Sequence, residues 1–253
     1  MAALPAALLW DVDGTLAETE LEGHRLAFNR AFAEAGDPWC WERPRYLELL
    51  RISGGRERLT AFLADAEGAP PSPQRVEELQ RAKQRHYTAL VAAGELQLRP
   101  GVARLMAAAA QAGLVQAIVT TSGRSAVAAL LERLLPERLS DLQLLICGED
   151  VRRKKPDGEA YRLALTQLDQ PAEAVLAIED SGNGVAAAVA AGLAVLVTRS
   201  AASAVEPEAG FQGAAAQVDH LGEPDMPCVV LQGPACPQGH VTLSWLQQLL
   251  PAR

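Results

Sequence analysis

The 253-residue sequence has few aromatic residues and few cysteines, and it lacks a long uncharged apolar run. Phe, Trp and Tyr make up 4% of the chain, which predicts a core of aliphatic side chains. Cys40, Cys147, Cys228 and Cys236 show no close framework spacing, which favours a reducing compartment. No stretch has the roughly 20 apolar residues of a membrane-spanning helix. We therefore expect a cytoplasmic protein that has no membrane partner.

The sequence also lacks an excess of basic residues. It has 23 Lys and Arg against 31 Asp and Glu, which gives a net charge of −8 and argues against a nucleic-acid partner. Hydrophobic residues at 49% and charged residues at 21% exclude global disorder. We expect a monomer of one or two domains whose partner is a small molecule.

Short apolar runs that alternate with helical patterns predict the fold class. The runs do not alternate between apolar and polar residues, which is typical of parallel strands covered on both faces. They are Ala6–Trp10, Val115–Val119, Leu142–Ile146, Val175–Ile178 and Ala194–Val197. The sequence therefore predicts an α/β fold with a Rossmann-like parallel sheet.

Residues 19–94 interrupt this rhythm, because they contain helical patterns and no convincing strand. One predicted helix stops at Gly36, and another begins at Ser72-Pro73, where Ser caps the helix and Pro occupies its first turn. We predict a helical cap domain at 19–94, inserted into a catalytic core made of 1–18 and 95–253. Residues 199–227 are rich in Ala, Gly and Pro and are expected to form a loop. Residues 242–250 are expected to form a last helix.

The strongest motif is Asp11-Val12-Asp13-Gly14-Thr15, directly after the first apolar run. Ligands of open α/β sheets bind at the carboxyl ends of the strands. Two carboxylates at i and i+2 point the same way from an extended chain, and an ionised carboxylate can attack phosphorus directly. The alternative is a plain Asp-Gly turn with exposed acids.

Three weaker motifs also lie near the ends of predicted strands. Thr120-Thr121-Ser122-Gly123 precedes a helix and offers hydroxyls and free N–H groups to a phosphate, although ordinary helix capping explains it equally. Glu179-Asp180 would complete an oxygen-only site for Mg²⁺, or simply place acids at a helix N-terminus. Lys155 ends a basic run that is either a solvated surface or a source of one cation for a phosphate.

The order of these motifs resembles the haloacid dehalogenase superfamily: Asp11-x-Asp13-Gly14-Thr15, Thr120, Lys155-Pro156 and Glu179-Asp180. The resemblance implies that Asp11 is a nucleophile that forms an aspartyl-phosphate. It implies that Asp13 protonates the leaving oxygen and later activates water. Thr120 and Lys155 would hold phosphoryl oxygens. Mg²⁺ would be bound by Asp11, the Asp13 carbonyl and Asp180, with Glu179 nearby.

Segments of the cap are similar to one group in this superfamily, the CbbY group. They are Ala17–Glu20, Gly23–Arg25, Ala27–Asn29 and Gly54–Arg58. That group consists of xylulose-1,5-bisphosphate phosphatases that remove a misfire product of Rubisco in the Calvin cycle. Gly158 departs from the group's pattern, in which proline is usual, and this loosens the turn after Lys155.

Further residues are candidates for contact with a phosphorylated sugar. Gly54-Gly55 permits close approach of a backbone, and Arg56 offers a bidentate fork for a second phosphate. Arg56 and Arg58 could instead be solvated helix residues that pair with acidic neighbours. The remaining candidates are Glu18, His24, Thr121, Ser122 and Arg124, although a lone histidine on a helix face is more often structural.

We therefore predict a Mg²⁺-dependent phosphatase that hydrolyses xylulose 1,5-bisphosphate to xylulose 5-phosphate. A β-phosphoglucomutase-type mutase would share Asp11 and Asp13, so the core motifs do not separate the two activities. A phosphatase of another small sugar phosphate is a further alternative. A non-catalytic phosphosugar-binding protein is disfavoured because every acidic position of the proposed site is present.

Overall fold

A seven-stranded sheet with the order β3-β2-β1-β4-β5-β6-β7 organises the chain, of which the computed structural model describes residues 4–251. Every neighbouring pair is parallel except β6 and β7. The strands are β1 (Ala7–Trp10), β2 (Val115–Val119), β3 (Leu142–Ile146), β4 (Val175–Glu179), β5 (Ala194–Thr198), β6 (Ala216–Val218) and β7 (Val230–Gln232). This is the predicted Rossmann-like α/β fold, and the five predicted strands lie within one residue of their expected bounds.

The helices complete the chain order. They are α1 (Arg25–Glu34), α2 (Arg43–Leu49), α3 (Gly55–Glu67), α4 (Pro73–Ala92), α5 (Val102–Gln111), α6 (Arg124–Leu134), α7 (Glu159–Leu168), α8 (Gly182–Ala190) and α9 (Leu243–Leu246). A π-helical turn at Glu20–His24 leads directly into α1. In the part of the chain that the structure describes, no helix is both long and apolar enough to cross a membrane.

The interior strand β1 is buried on both faces, which explains its continuous apolar sequence. Leu8 and Trp10 pack into one hydrophobic cluster, and Ala7 and Leu9 pack into the cluster on the other side. Burial on both faces removes the selection for alternating polar residues. The strand therefore delivers its carboxyl end, at Asp11, to the middle of the sheet.

Helices α1 to α4 lie between β1 and β2 in sequence and have a hydrophobic cluster of their own. Its large members are aromatic: Phe28, Phe32, Trp41, Tyr46 and Phe62. The expectation of an aliphatic core is therefore wrong for this part of the chain, because the few aromatic residues are concentrated there. The division into a core of 1–18 and 95–253 and a cap of 19–94 stays a prediction.

The carboxyl-terminal part differs from the expected loop and helix. Residues 199–227, expected to be loop, contain the strand β6, which pairs with β5, and two 3₁₀ turns. The helix expected at 242–250 is shorter, since α9 ends at Leu246 and continues as a 3₁₀ turn. A three-residue strand carries too little sequence pattern to be recognised without its partner strand.

Candidate active site

The acidic loop after β1 lies against the end of β4. The amide of Asp11 donates to the carbonyl of Ile178 at 3.0 Å, and the Asp11 side chain is buried. Gly14 has a φ of +83°, and a Cβ at this position would lie 2.1 Å from Oδ2 of Asp180. A glycine is therefore required both for the backbone conformation and for the close approach of the second acidic strand end.

Lys155 connects the two acidic strand ends. Its Nζ donates to Asp11 Oδ1 at 2.7 Å, to Glu179 Oε1 at 2.6 Å and to the carbonyl of Val119 at 2.8 Å. Burial works against the charged lysine, but the Asp11 and Glu179 carboxylates outweigh it and raise the pKa of Lys155. Lys155 is therefore a fixed cation beside Asp11. The hydroxyl of Tyr161 also donates to Glu179 Oε1.

Three carboxylates form the only group of potential metal ligands that the described residues assemble. Oxygen atoms of Asp11, Glu179 and Asp180 all lie within 4.8 Å of one another. Burial, opposed by Lys155 and reinforced by Glu179, raises the pKa of Asp11 to about 7. Burial and the Asp11 charge also raise the pKa of Asp180 well above its ordinary value. The single charge of Lys155 therefore does not balance the three carboxylates.

The donor set fits a hard divalent cation. It consists of oxygen atoms alone, which is the set that Mg²⁺ and Ca²⁺ prefer. Oε2 of Glu179 is buried and has no hydrogen-bond partner, while Oε1 is occupied by Lys155. The side chain of Asp13, another predicted ligand, does not belong to this group. Asp13 could bind the metal only through its backbone carbonyl, which is the atom that the resemblance implies.

Asp13 is held by three donors from two segments, the π-helical turn with its N-cap Thr19 and the loop after β2. His24 Nε2 lies 2.8 Å from its Oδ1, Thr19 Oγ1 donates to the same oxygen, and Ser122 Oγ donates to Oδ2. Burial opposes ionisation of Asp13, but His24 and these hydrogen bonds outweigh it and hold its pKa well below the usual range. The second carboxylate of the motif is thus fixed in direction and ionised.

The ring of His24 is oriented by Lys83, a residue that sequence reasoning missed. Lys83 Nζ lies 2.9 Å from His24 Nδ1, so Nδ1 accepts and Nε2 carries the proton that is donated to Asp13. The ring also stacks on Tyr87 with 4.2 Å between centroids. Both nitrogens therefore have protein partners, which differs from the expected contact of His24 with sugar hydroxyls. A lysine on the buried face of α4, beside Leu79 and Tyr87, was the available signal.

The strand-end motif after β2 contributes hydroxyl groups to the same region. Thr120 is buried, and its Oγ1 accepts from the amide of Ser122 at 3.1 Å. Thr121 lines the cavity next to Asp11, while Ser122 contacts Asp13. The predicted residues Thr120, Thr121 and Ser122 are therefore assembled at the site.

Residues of the predicted cap line the site together with the strand-end residues. A cavity of about 920 Å³ is lined by Asp11, Asp13 and Lys155 from the core and by Glu20 and Arg58 from the cap. An adjoining cavity of about 460 Å³ is lined by residues that include Gly54, Gly55, Arg56, Ser122 and Lys154. Arg58 and Thr121 line both cavities.

Arg56 and Arg58, the two arginines that the sequence suggests for phosphate binding, have different surroundings. Arg58 is buried, and its Nη1 donates to the Tyr46 hydroxyl at 2.9 Å and lies 3.7 Å from Glu20 Oε2. Arg56 is half exposed and paired with Glu77 at the rim. Arg58 therefore directs a desolvated positive charge to the cavity, whereas the preferred candidate from the sequence, Arg56, is engaged at the surface.

Two predicted substrate residues have other partners in the structure. Glu18 accepts from the amide of Ala201 and lies 3.0 Å from Arg99 Nε, away from the large cavity. The Arg124 guanidinium donates to Asp150 and to the carbonyl of Leu145, and its side chain is half exposed. These partners could not be read from the sequence, because Arg99 and Asp150 are distant along the chain from Glu18 and Arg124; substrate contact at both residues stays a prediction.

Comparison with known proteins identifies the family. The family model for haloacid dehalogenase-like hydrolases matches residues 5–192. The chain belongs to this family. It is 45% identical over 193 residues to protein CbbY of Cereibacter sphaeroides, with 76% of this chain and 83% of that protein covered. It is 43% identical to the plasmid CbbY of Cupriavidus necator, with 87% of each chain covered.

Solved structures give the same relationship. A mutant CbbY from Rhodobacter sphaeroides, solved in complex with xylulose-(1,5)bisphosphate, superposes with a TM-score of 0.81 at 40% identity, covering 87% of this chain and 96% of that chain. A phosphorylated carbohydrates phosphatase of Thermotoga maritima is 30% identical over 74% of this chain and 82% of that protein. This member of the haloacid dehalogenase-like hydrolases is thus a phosphoric monoester hydrolase, as its sequence predicts.

Proposed function

We propose that the protein is a Mg²⁺-dependent phosphatase that hydrolyses xylulose 1,5-bisphosphate to xylulose 5-phosphate and phosphate in the cytoplasm. The observation that carries this proposal is the joint arrangement of Asp11, Lys155 and Asp180 beside Asp13, in a cavity closed by Arg58 of the cap. The CbbY similarity, which includes a relative in complex with that bisphosphate, supports the choice of substrate.

Asp11 acts as the nucleophile in this proposal. Its carboxylate forms a bond to phosphorus while the bond from phosphorus to the sugar oxygen breaks, which leaves an aspartyl-phosphate. Lys155, held 2.7 Å from Asp11 Oδ1, is placed to offset charge on the phosphoryl oxygens, and Thr120 and Thr121 supply hydroxyls beside it. Mg²⁺, bound by Asp11, Asp180 and the Asp13 carbonyl, would neutralise the acidic group and the phosphoryl charge.

Asp13 transfers protons on both sides of the intermediate. Its ionised form, favoured by His24, Ser122 and Thr19, takes a proton from water as that water attacks the aspartyl-phosphate. Its protonated form gives a proton to the leaving sugar oxygen in the first step. A phosphate dianion that arrives beside Asp13 raises its pKa, which favours this form.

The test is phosphate release from three substrates at equal concentration with Mg²⁺: xylulose 1,5-bisphosphate, phosphoglycolate and β-glucose 1-phosphate. We expect the bisphosphate to be hydrolysed roughly 10- to 100-fold faster than the others, since a second phosphate bound by an arginine contributes about 1.5–3 kcal/mol. Equal rates would contradict the substrate assignment. Formation of glucose 6-phosphate from β-glucose 1-phosphate and a trace of the 1,6-bisphosphate would instead favour the mutase.

A further inference from the structure

Arg99 is buried, with 6% of its surface exposed, and its guanidinium is saturated by acceptors from separate segments of the chain. Its Nη1 and Nη2 donate to the carbonyl oxygens of Gly14, Thr198, Arg199 and Asp219, and its Nε forms an ion pair with the Glu18 carboxylate at 3.0 Å. Nη1 lies 2.8 Å from the Thr198 oxygen, and Nη2 lies 2.6 Å from the Asp219 oxygen. Only a planar guanidinium can satisfy five acceptors in this way.

The carbonyl acceptors belong to the loops that carry the acidic group. Gly14 directly follows Asp13 and contacts Asp180 so closely that it has no room for a side chain. Thr198 ends β5, and the chain continues to Ser200, whose Oγ donates to Asp180 Oδ2 at 2.6 Å. The guanidinium therefore bridges the nucleophile loop and the loop behind Asp180.

The same residue lies where the chain enters and leaves the cap. The amide of Arg99 donates to the carbonyl of Leu16 at 2.8 Å, and Ala17 pairs with Leu98 in an antiparallel bridge. Glu18, the next residue of the outgoing segment, contacts Arg99 Nε. The two chain crossings between core and cap thus lie side by side against this one guanidinium.

We propose that Arg99 is a positioning residue that fixes the nucleophile loop, the Ser200 loop and both cap crossings at their working separation. It touches no substrate atom, so it acts through Gly14 and through Ser200 on Asp180. The inference rests on the proposed function, because the group it positions is the proposed Mg²⁺ site. A lysine preserves the charge but serves at most three acceptors, so Arg99→Lys breaks the bridge while keeping a cation in place.

The experiment compares Arg99→Lys with Arg104→Lys. Arg104, on α5, also binds backbone carbonyls, namely those of Leu221, Gly222 and Val241, but these carry no site residue. Mg²⁺ binding is measured by titration calorimetry without substrate, and kcat and KM are measured separately. We expect Arg99→Lys to weaken Mg²⁺ binding at least about fivefold and to lower kcat about tenfold or more. Arg104→Lys is expected to leave both quantities within about twofold of the wild type.

Should Arg99→Lys fail to fold, Ser200→Ala removes the hydroxyl that donates to Asp180 and accepts from the Ser203 amide, and it is expected to weaken Mg²⁺ binding in a protein that still unfolds cooperatively. The inference about Arg99 would be overturned if folded Arg99→Lys, or Ser200→Ala, kept the wild-type Mg²⁺ affinity and kcat. The proposed function would be unaffected by that result. A wild-type protein that takes up no Mg²⁺ would overturn the proposed function together with the inference about Arg99.

Discussion

Two buried lysines of the site have opposite electrostatic surroundings. Lys155 lies between Asp11 and Glu179, and its pKa is raised. Lys83 contacts His24 and the faces of aromatic rings, and burial, only partly offset by the more distant Asp13 and Glu20, lowers its pKa to about 8. Lys155 therefore stays charged at neutral pH, whereas Lys83 loses its proton as the pH rises through about 8.

The pKa of Lys83 predicts a pH-dependent contribution to stability. Its folded-state pKa of about 8 lies below the ordinary value of 10.5, so between these values the unfolded chain binds more protons than the folded one. Stability relative to Lys83→Met should then rise with pH from about 8 to 10.5, by up to about 1.4 kcal/mol per pH unit, and stay constant below pH 8. Urea unfolding of both proteins at several pH values measures this difference. If their free energies of unfolding changed equally with pH, the lowered pKa of Lys83 would be contradicted.

The two cap arginines provide a second prediction at this scale. Arg58→Met should lower kcat/KM for the bisphosphate by roughly 10- to 100-fold, because a buried guanidinium that faces the cavity is lost. Arg56→Met, which removes a surface pair with Glu77, should change it less than about threefold. Steady-state kinetics of the two variants, with melting temperatures as the check on folding, measure the contrast. A larger loss for Arg56→Met would restore the ranking expected from the sequence.

The elements of the cap meet those of the core through few polar contacts. Glu57 of α3 pairs with Lys154 at 2.8 Å, and the Asn183 amide of α8 donates to Ser53 Oγ at 3.1 Å. Residues of these contacts line the two cavities, and His24 of the predicted cap contacts Asp13. If the cap closes over substrate, closure would bring His24 and Thr19 to Asp13 and would couple closure to catalysis.

The Glu57–Lys154 pair predicts a salt-dependent effect on substrate binding. Glu57→Gln should raise KM about two- to fivefold at low salt, since a partly exposed ion pair contributes up to about 1 kcal/mol to closure. The difference should shrink at high salt, where the pair is screened. Glu77→Gln is the matched control, because Glu77 pairs with Arg56 and Arg81 inside the cap. An equal effect of both variants would refute a role of the Glu57 pair in closure.

Elements with a long or repeated pattern could be predicted from the sequence, and the site residues at strand ends followed from them. Asp11, Thr120 and Asp180 converge because parallel strands place their carboxyl ends at one edge. Lys83 could not be assigned, because its partner His24 lies on another helix and the contact depends on how α1 packs against α4. The contact of Glu18 with Arg99 could not be predicted for the same reason, since the two residues are distant in sequence.

The whole molecule is acidic, yet its site is organised to receive a phosphorylated anion. Its net charge is −8, while the residues that line the two cavities include the cations Lys155, Arg58 and Lys154. The buried carboxylates of Asp11, Glu179 and Asp180 lie beside these cations and repel one another. A divalent cation bound there, as proposed, would relieve this repulsion and would link metal binding to folding.

This linkage predicts that Mg²⁺ stabilises the whole fold. At a concentration about one hundred times its dissociation constant, a ligand that binds only the folded state adds about 2.7 kcal/mol, which corresponds to a rise of several degrees in melting temperature. Asp180→Asn should lose most of this rise. Melting curves with MgCl₂, and with NaCl at equal ionic strength as control, measure it. An equal shift with both salts would show that no specific site is present.

The central claim is that Asp11 accepts the phosphoryl group of a sugar bisphosphate. The direct measurement is acid quenching of the enzyme during turnover of xylulose 1,5-bisphosphate with Mg²⁺, followed by mass spectrometry of the peptide that contains Asp11. We predict one added phosphoryl group on this peptide in the wild type and none in Asp11→Asn, which should stay folded and lose activity by about four orders of magnitude or more. Full turnover by Asp11→Asn, or a phosphoryl group on another residue, would contradict the account.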